Sequence, residues 1–260
     1  MPDSTENRDH KTATSAAVLL GANRFRSASL VLLSCVLGAI ISCSNLPRDP
    51  KQTLRRVQTQ PMRVGLIEHP PWVIRANGEP RGVEVELVRQ FANELGTTPE
   101  WHWGGAQQQM EALEHYGLDL VIGGFTSRSP WKDYVGFTAP YFEESIRVAA
   151  PPGTSVKTVK GVQVIAEDDW AASLLQEEGA TVIRVNQIQS VTGPVAAADW
   201  RLQTLNVTNT DIELDRVKHV MAAPPGENGF IKRLDEFLHQ KRPSLVSMLQ
   251  QEASQNEIAR

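Results

Sequence analysis

The chain has 260 residues, 41% hydrophobic, 22% charged and 6% aromatic, with 26 lysines and arginines against 30 aspartates and glutamates and a net charge of −4. That composition excludes a disordered, collagen-like or disulfide-stapled chain. The absence of excess positive charge excludes general nucleic-acid binding.

The first recognisable element is an address. Arg24 and Arg26 precede a run from Leu30 to Ile41 in which nearly every residue is apolar or small, the charged and apolar regions of a secretory signal. The run is shorter than the about 20 residues a spanning helix needs. It holds Cys35 and leads into the chain's other cysteine, Cys43, through Ile40-Ile41-Ser42-Cys43, which resembles a bacterial lipobox. The resemblance implies that residues 1–42 are a lipoprotein signal peptide and that Cys43 is acylated and becomes the mature N-terminus, several acyl chains being needed for stable anchoring. Leu32-Leu33-Ser34-Cys35 is a second match that leaves too short an apolar core. Ser44, where inner-membrane lipoproteins of Gram-negative bacteria carry aspartate, points to the outer membrane. The plainer reading is a chance apolar helix with an incidental cysteine. Residues 43–60 are polar, with Pro47, Pro50 and the pair Arg55-Arg56, and read as a tether.

Folded structure is expected to open with a strand, Met62–Ile67, then a turn forced by His69-Pro70-Pro71-Trp72. Leu87, Val88, Phe91, Ala92 and Leu95 recur at helical spacing, and Gly96 closes that helix. A helix over Gln107–His115 and a buried strand over Leu118–Ile122, ending in Gly123-Gly124, complete a βαβ-like pattern and hence an α/β fold. Ile146–Ala150 is extended and apolar and runs into Pro151-Pro152-Gly153. A second βα unit follows, with a strand over Val162–Ala166 and a helix carrying Trp170, Leu174 and Leu175. Thr181–Val185 reads as a strand, Pro194–Leu205 as a short helix, and Val217–Ala222 as a strand stopped by Pro224-Pro225-Gly226. Two strand-then-Pro-Pro-Gly junctions flanking an α/β insert suggest a domain crossed twice by the backbone. Phe230, Ile231, Leu234, Phe237 and Leu238 form the apolar face of a helix returning to the first domain.

Four segments in this order resemble the bacterial periplasmic solute-binding proteins of the polar amino-acid uptake type, family 3, from Met62 to about Leu249. They are the opening strand followed by an aromatic residue, Trp72; Gly82-Val83-Glu84-Val85-Glu86-Leu87, similar to G-F-D-x-D-L; Leu118 to Thr126, similar to D-x-x-x-x-G-x-T; and Val135 to Phe142, similar to V-x-F-S-x-P-Y. The resemblance implies a two-lobed periplasmic-binding-protein-like fold with a double hinge crossover, closing on a small solute. Residues 61–148 and 223–255 would form lobe 1 and residues 149–222 lobe 2.

A polar solute in such a cleft needs an aromatic wall and a few fixed hydrogen-bonding groups. Trp72, held by two prolines, is the candidate wall, so Trp72→Ala is expected to lose affinity while the fold survives; packing of Trp72 within its own lobe is the alternative. The resemblance implies that Gly124, Phe125 and Thr126, at the strand end where α/β sheets take ligands, meet the solute; a simple turn is the alternative. Family members that bind amino acids carry an arginine five residues beyond that threonine, forked onto the carboxylate. This chain has Trp131 there. Arg128 could reach in instead, or the pocket could favour a flatter or less anionic solute. Glu167-Asp168-Asp169 would repel a carboxylate, or simply complement a helix N-terminus. Asp199 falls near the family's aspartate for a ligand amino group.

The histidines show no metal spacing, and neither a Ser-nucleophile elbow nor a glycine-rich phosphate loop is present. Glu68 is a lone candidate general base. The expectation is a non-enzymatic, lipid-anchored extracytoplasmic binding protein serving an ABC-type permease, with ligand-binding residues Trp72, Gly124, Phe125, Thr126, Arg128, Trp131 and Asp199, and with no cofactor and no metal. The alternatives are a sensory or interaction lipoprotein with a degenerate pocket and a dehydratase-like enzyme on the same fold.

Overall fold

The computed structural model describes residues 49–75 and 79–258. The signal segment, Cys43 and the chain up to residue 48 lie outside the described residues. Strand β1 (Met62–Leu66) is the centre of the first sheet, flanked in parallel by β2 (Pro99–Trp103) and β3 (Leu120–Ile122). A strand with parallel neighbours and helices over it is buried on both faces, and Val64, Leu66, Leu120 and Ile122 are accordingly fully buried. Helix α2 (Val83–Glu94) lays Leu87, Val88 and Phe91 on this sheet, and α3 (Ala106–Glu114) lays down Met110 and Leu113.

The sheet is completed from later in the chain. β10 (Ala222–Ala223) pairs antiparallel with β3 and with β4 (Gly136–Phe137), giving the order β2-β1-β3-β10-β4. The second sheet has the order β7-β6-β8-β5-β9, built from β5 (Phe142–Ala150), β6 (Gln163–Ala166), β7 (Thr181–Arg184), β8 (Val195–Ala198) and β9 (Thr208–His219). Its helices are α4 (Asp169–Glu177) and the single turn α5 (Asp199–Leu202). Two α/β lobes, each with one sheet, are therefore joined by two chain crossings, the fold class expected from the motifs.

The crossings run side by side. The Thr138 N–H donates to the Met221 carbonyl, the Met221 N–H donates to the Thr138 hydroxyl, and the Tyr141 N–H donates to the His219 carbonyl. Since β5 pairs with β9 from Phe142 opposite His219, the chain enters the second lobe at residues 138–141, before the boundary expected at 148–149. Pro151-Pro152-Gly153 is consequently a turn at the far end of that lobe.

Four other expectations are corrected. Residues 49–60 are not a free tether: α1 (Thr53–Val57) buries Thr53 and Val57 against the body, and α1 packs against α6 (Asn228–Lys241). Val195–Ala198 is a fully buried central strand and not the start of a helix, because three alanines suit a strand flanked on both sides as well as they suit a helix. The last strand of the second lobe begins at Thr208, its alternation of Ile212 and Leu214 with charged residues marking a half-buried edge. Trp170, read together with Leu174 and Leu175 on the helix of the second βα unit, is on that helix but 48% exposed.

After α6, whose Phe230 and Phe237 meet Phe91 of α2, the chain forms α7 (Leu245–Ile258). Leu245 and Leu249 of this helix are buried, and it contacts both α2 of the first lobe and α5 of the second. Arg81 pairs with Glu252 at 2.6 Å, and the Gln250 side-chain amide donates to the Trp200 carbonyl at 3.3 Å.

Candidate functional site

The seam between the lobes is built on the turn after β1. The His69 N–H donates to the Val73 carbonyl, while the Trp72 and Val73 N–H groups return to the His69 carbonyl. The N–H groups of Val83 and Glu84 donate to the carbonyls of Pro71 and Trp72, so the first turn of α2 fixes the loop. Trp72 is thereby aimed across the seam, where its ring lies 4.0 Å from His219, 5.8 Å from Phe142 and 6.3 Å from Tyr141, the last edge-on. Its 3% exposure makes it core as well as seam.

Beneath the indole lies a buried carboxylate. Glu84 is fully buried on α2 and accepts the N–H groups of Gly123 and Gly124, each at 2.8 Å, and the Tyr141 hydroxyl at 2.7 Å. Burial pushes its carboxyl above the ordinary range, while the bonds from Tyr141, Gly124 and Gly123 pull it back. Burial likewise holds the Tyr141 hydroxyl well above the phenol range, with the Glu84 charge adding to it. Gly124 has φ +65°, and a Cβ there would stand 2.5 Å from His69 Nδ1 and 2.6 Å from the Trp72 ring. Gly124→Ala is expected to destabilise the protein by about 2 kcal/mol through left-handed strain and displacement of the indole; a denaturation midpoint equal to that of the parent would refute this contact.

From the second lobe, Glu144 of β5 accepts the Trp200 indole N–H at 2.6 Å on one oxygen and meets His219 Nε2 at 2.9 Å on the other. His219 is 2% exposed, and its Nδ1 has no hydrogen-bond partner among the described residues. An aromatic and imidazole cluster is thus flanked by two carboxylates, Glu84 below and Glu144 beyond.

The family described as bacterial extracellular solute-binding proteins, family 3, matches residues 62–252. The chain belongs to that family. Among solved structures, the chain is similar to an ancestral cationic amino-acid solute-binding protein (18% identity, TM-score 0.63, covering 75% of this chain and 98% of that one). The L-cystine solute receptor of Neisseria gonorrhoeae, in its unliganded open conformation, is similar at 16% identity and TM-score 0.57, over 78% of this chain and 95% of the receptor. An ancestral amino-acid-binding protein described as a precursor of cyclohexadienyl dehydratase is similar at 18% identity and TM-score 0.52, over 77% and 99%. At these identities the likeness is one of fold. No curated protein matches the chain.

In this family 3 chain the residues singled out from the sequence fall into two groups. Trp72 and Gly124 come together at the seam, and Thr126 reaches it through its backbone, which runs beside His219 as an isolated antiparallel bridge. The Thr126 hydroxyl accepts the Arg128 N–H at 3.4 Å. Arg128 forks onto Asp215 of β9 at 2.8 and 2.9 Å and also donates to the Arg216 carbonyl, tying the first lobe to the second. Phe125 and Trp131 turn away from this group into the satellite core of Met110, Leu113, Leu118 and Val121. Asp199 pairs with Arg147 at 3.1 Å, partial burial raising its carboxyl.

The three acids after β6 are used structurally. Asp168 caps α4 through the Ala171 N–H, Glu167 pairs with Arg201, and Asp169 pairs with Arg184. Glu68 lies at the exposed side of the turn, 3.5 Å from Arg75. A separate cavity of about 380 Å³ opens in the second lobe against α7, lined by Gln187, Arg201, Thr204, Gln250 and Ser254 among others, and it shares no residue with the seam.

Sequence reasoning passed over Glu84, Glu144, Trp200 and His219. For Glu84 a signal existed: 84, 87, 88 and 91 follow helical spacing, which puts a carboxylate on the buried stripe of α2. Glu144, Trp200 and His219 lie on three separate elements, and only the pairing of β5 with β8 and β9 assembles them.

Proposed function

We propose that this family 3 protein is an extracytoplasmic solute-binding lipoprotein, anchored through Cys43, that takes a small polar, amino-acid-like solute at the seam and presents it to an ABC-type permease. The carrying observation is the seam itself, where Trp72 of one lobe stacks on His219 of the other across a double crossing. A solute that touches both lobes stabilises the closed form by its differential affinity, and the permease reads the resulting shape. The charge beside the seam favours a solute with an ammonium group: Glu144 stands next to the aromatic cluster, whereas Arg128 is spent on Asp215 and the Gly124 N–H on Glu84. We assign no catalytic role to the chain.

One specific observation favours a second reading. Trp72, Gly124 and Arg128 all satisfy internal partners, as they would in a sensory or interaction lipoprotein whose pocket has degenerated. Titration calorimetry of the full chain with basic, neutral and acidic amino acids and simple amines separates the readings. Saturable heat with ammonium-bearing solutes is expected, and a solute at a hundred times its Kd adds about 2.7 kcal/mol to stability. Silence across the panel supports the degenerate pocket, and consumption of a solute supports an enzyme.

A further inference from the structure

The N-terminal junction of the body brings two carboxyl groups to one place. Asp49 rests on the first turn of α6, its Cβ 3.3 Å from the position a Cβ of Gly229 would take. Its Oδ2 accepts the Leu54 N–H at 2.9 Å. Glu227, 0% exposed and immediately before α6, accepts the Lys51 N–H at 2.7 Å on one oxygen and the Thr53 N–H at 2.9 Å on the other. Glu227 therefore holds these residues onto the body, while Asp49 ties the start of the segment to α1 and rests against the first turn of α6. The remaining Asp49 oxygen is buried and meets no donor among the described residues. Asp49 beside Gly229 and Glu227 under the Lys51 and Thr53 amides put the two carboxyl groups at the same junction, and a buried carboxyl oxygen without a donor, next to a second carboxyl, is satisfied by one proton held between them.

We propose that residues 49–57 are fastened to the body by a proton shared between Asp49 and Glu227, so that acid closes this latch and loss of the proton loosens it. Two ionised carboxylates at one site repel, and the repulsion is relieved when the segment that carries Asp49 lifts away. The electrostatics agree in direction. Burial and the bond to Glu227 raise the Asp49 carboxyl to about 6. Burial pushes Glu227 up, but the bonds from Asp49, Lys51 and Thr53 outweigh it and hold Glu227 below the ordinary value. The pair thus keeps a single proton through mildly acid conditions and loses it as pH rises through about 6.

The other charged groups on the surrounding elements have partners of their own. Lys51 Nζ stands 5.4 Å over the Tyr116 ring, and the Tyr116 hydroxyl donates to the Pro225 carbonyl. Arg56 of α1 and Arg63 of β1 both pair with Asp119, and Arg55 is exposed. Release of residues 49–60 would lengthen the lead into β1 by up to about 40 Å of extended chain, which changes how far the body reaches from whatever precedes residue 49.

Hydrogen exchange of the full chain, corrected for the intrinsic pH dependence of exchange, tests the latch. The Lys51, Thr53 and Leu54 amides are expected to be about tenfold better protected at pH 5 than at pH 8, while those of β1 do not change. Asp49→Asn, whose amide donates to Glu227 at every pH, is expected to abolish the difference, and Glu227→Gln is expected to do the same. Equal protection of the parent at the two pH values, or a tenfold difference that survives in both variants, overturns the proposal.

Discussion

Trp72→Ala is expected to cost about 3–5 kcal/mol of stability, the range for truncating a large aromatic side chain in a packed interior, and to abolish solute binding with it. The sequence alone pointed to a loss of affinity with the fold intact. The structure changes that expectation because the indole packs on Tyr141, Phe142 and His219 and covers Gly124 at 3% exposure. Removing it opens a cavity at the seam between the lobes. Trp72→Phe keeps a ring against His219 and is expected to cost less than half as much, leaving a folded protein in which the contribution to affinity can be read separately. Chemical denaturation checks both variants, and a Trp72→Ala midpoint within 1 kcal/mol of the parent would show that the indole is not part of the core.

The second large effect is expected at Glu84. Glu84→Ala strands three buried donors, the N–H groups of Gly123 and Gly124 and the Tyr141 hydroxyl. Each unsatisfied donor costs about 1–3 kcal/mol, part of which is returned because a buried carboxylate no longer has to be desolvated. The net expectation is a loss of about 3 kcal/mol. Glu84→Gln keeps an oxygen for the glycine amides and an N–H for Tyr141, and is expected to cost about 1 kcal/mol.

The pH dependence of this pair of proteins has a definite sign. Burial raises the folded-state carboxyl of Glu84 above its unfolded value, so its contribution is complete below the ordinary carboxyl pKa of 4.5 and declines as pH rises through the folded value. Glutamine has no such proton. The stability gap between parent and Glu84→Gln should therefore narrow from pH 4 to pH 8, and a gap that widens would mean that the carboxylate is held below its unfolded value.

Much of the first lobe is legible because its elements are local and strongly patterned. Met62–Leu66 is a short apolar run, Leu87, Val88 and Phe91 repeat at helical spacing, and Gly96 takes the left-handed conformation that ends α2. The second lobe reads less well because its interior is made of alanine. Ala196, Ala197 and Ala198 are fully buried in β8, yet alanine favours helix when nothing else decides. The neighbouring strands β5 and β6 decide it by supplying backbone partners on both sides. The segment before β1 misleads for a related reason: its polar side chains suggest a solvated tether, whereas the Lys51 and Thr53 N–H groups find the buried Glu227 carboxylate 176 and 174 positions away.

The candidate site divides along the same line. Trp72, Gly124 and Thr126 sit in contiguous motifs, so local order alone identifies the turn and strand end that carry them. The fates of their polar groups depend on residues distant in sequence: Glu84 takes the Gly124 N–H, Asp215 takes Arg128, and His219 covers Trp72. The amino-acid sequence by itself determined the α/β class, the two lobes and the family, since hydrophobic period and motif order are properties of neighbouring residues. Only the tertiary structure decided which groups at the seam already have partners, because hydrogen-bond and packing partners are chosen by proximity in space, which strand pairing and the double crossing impose.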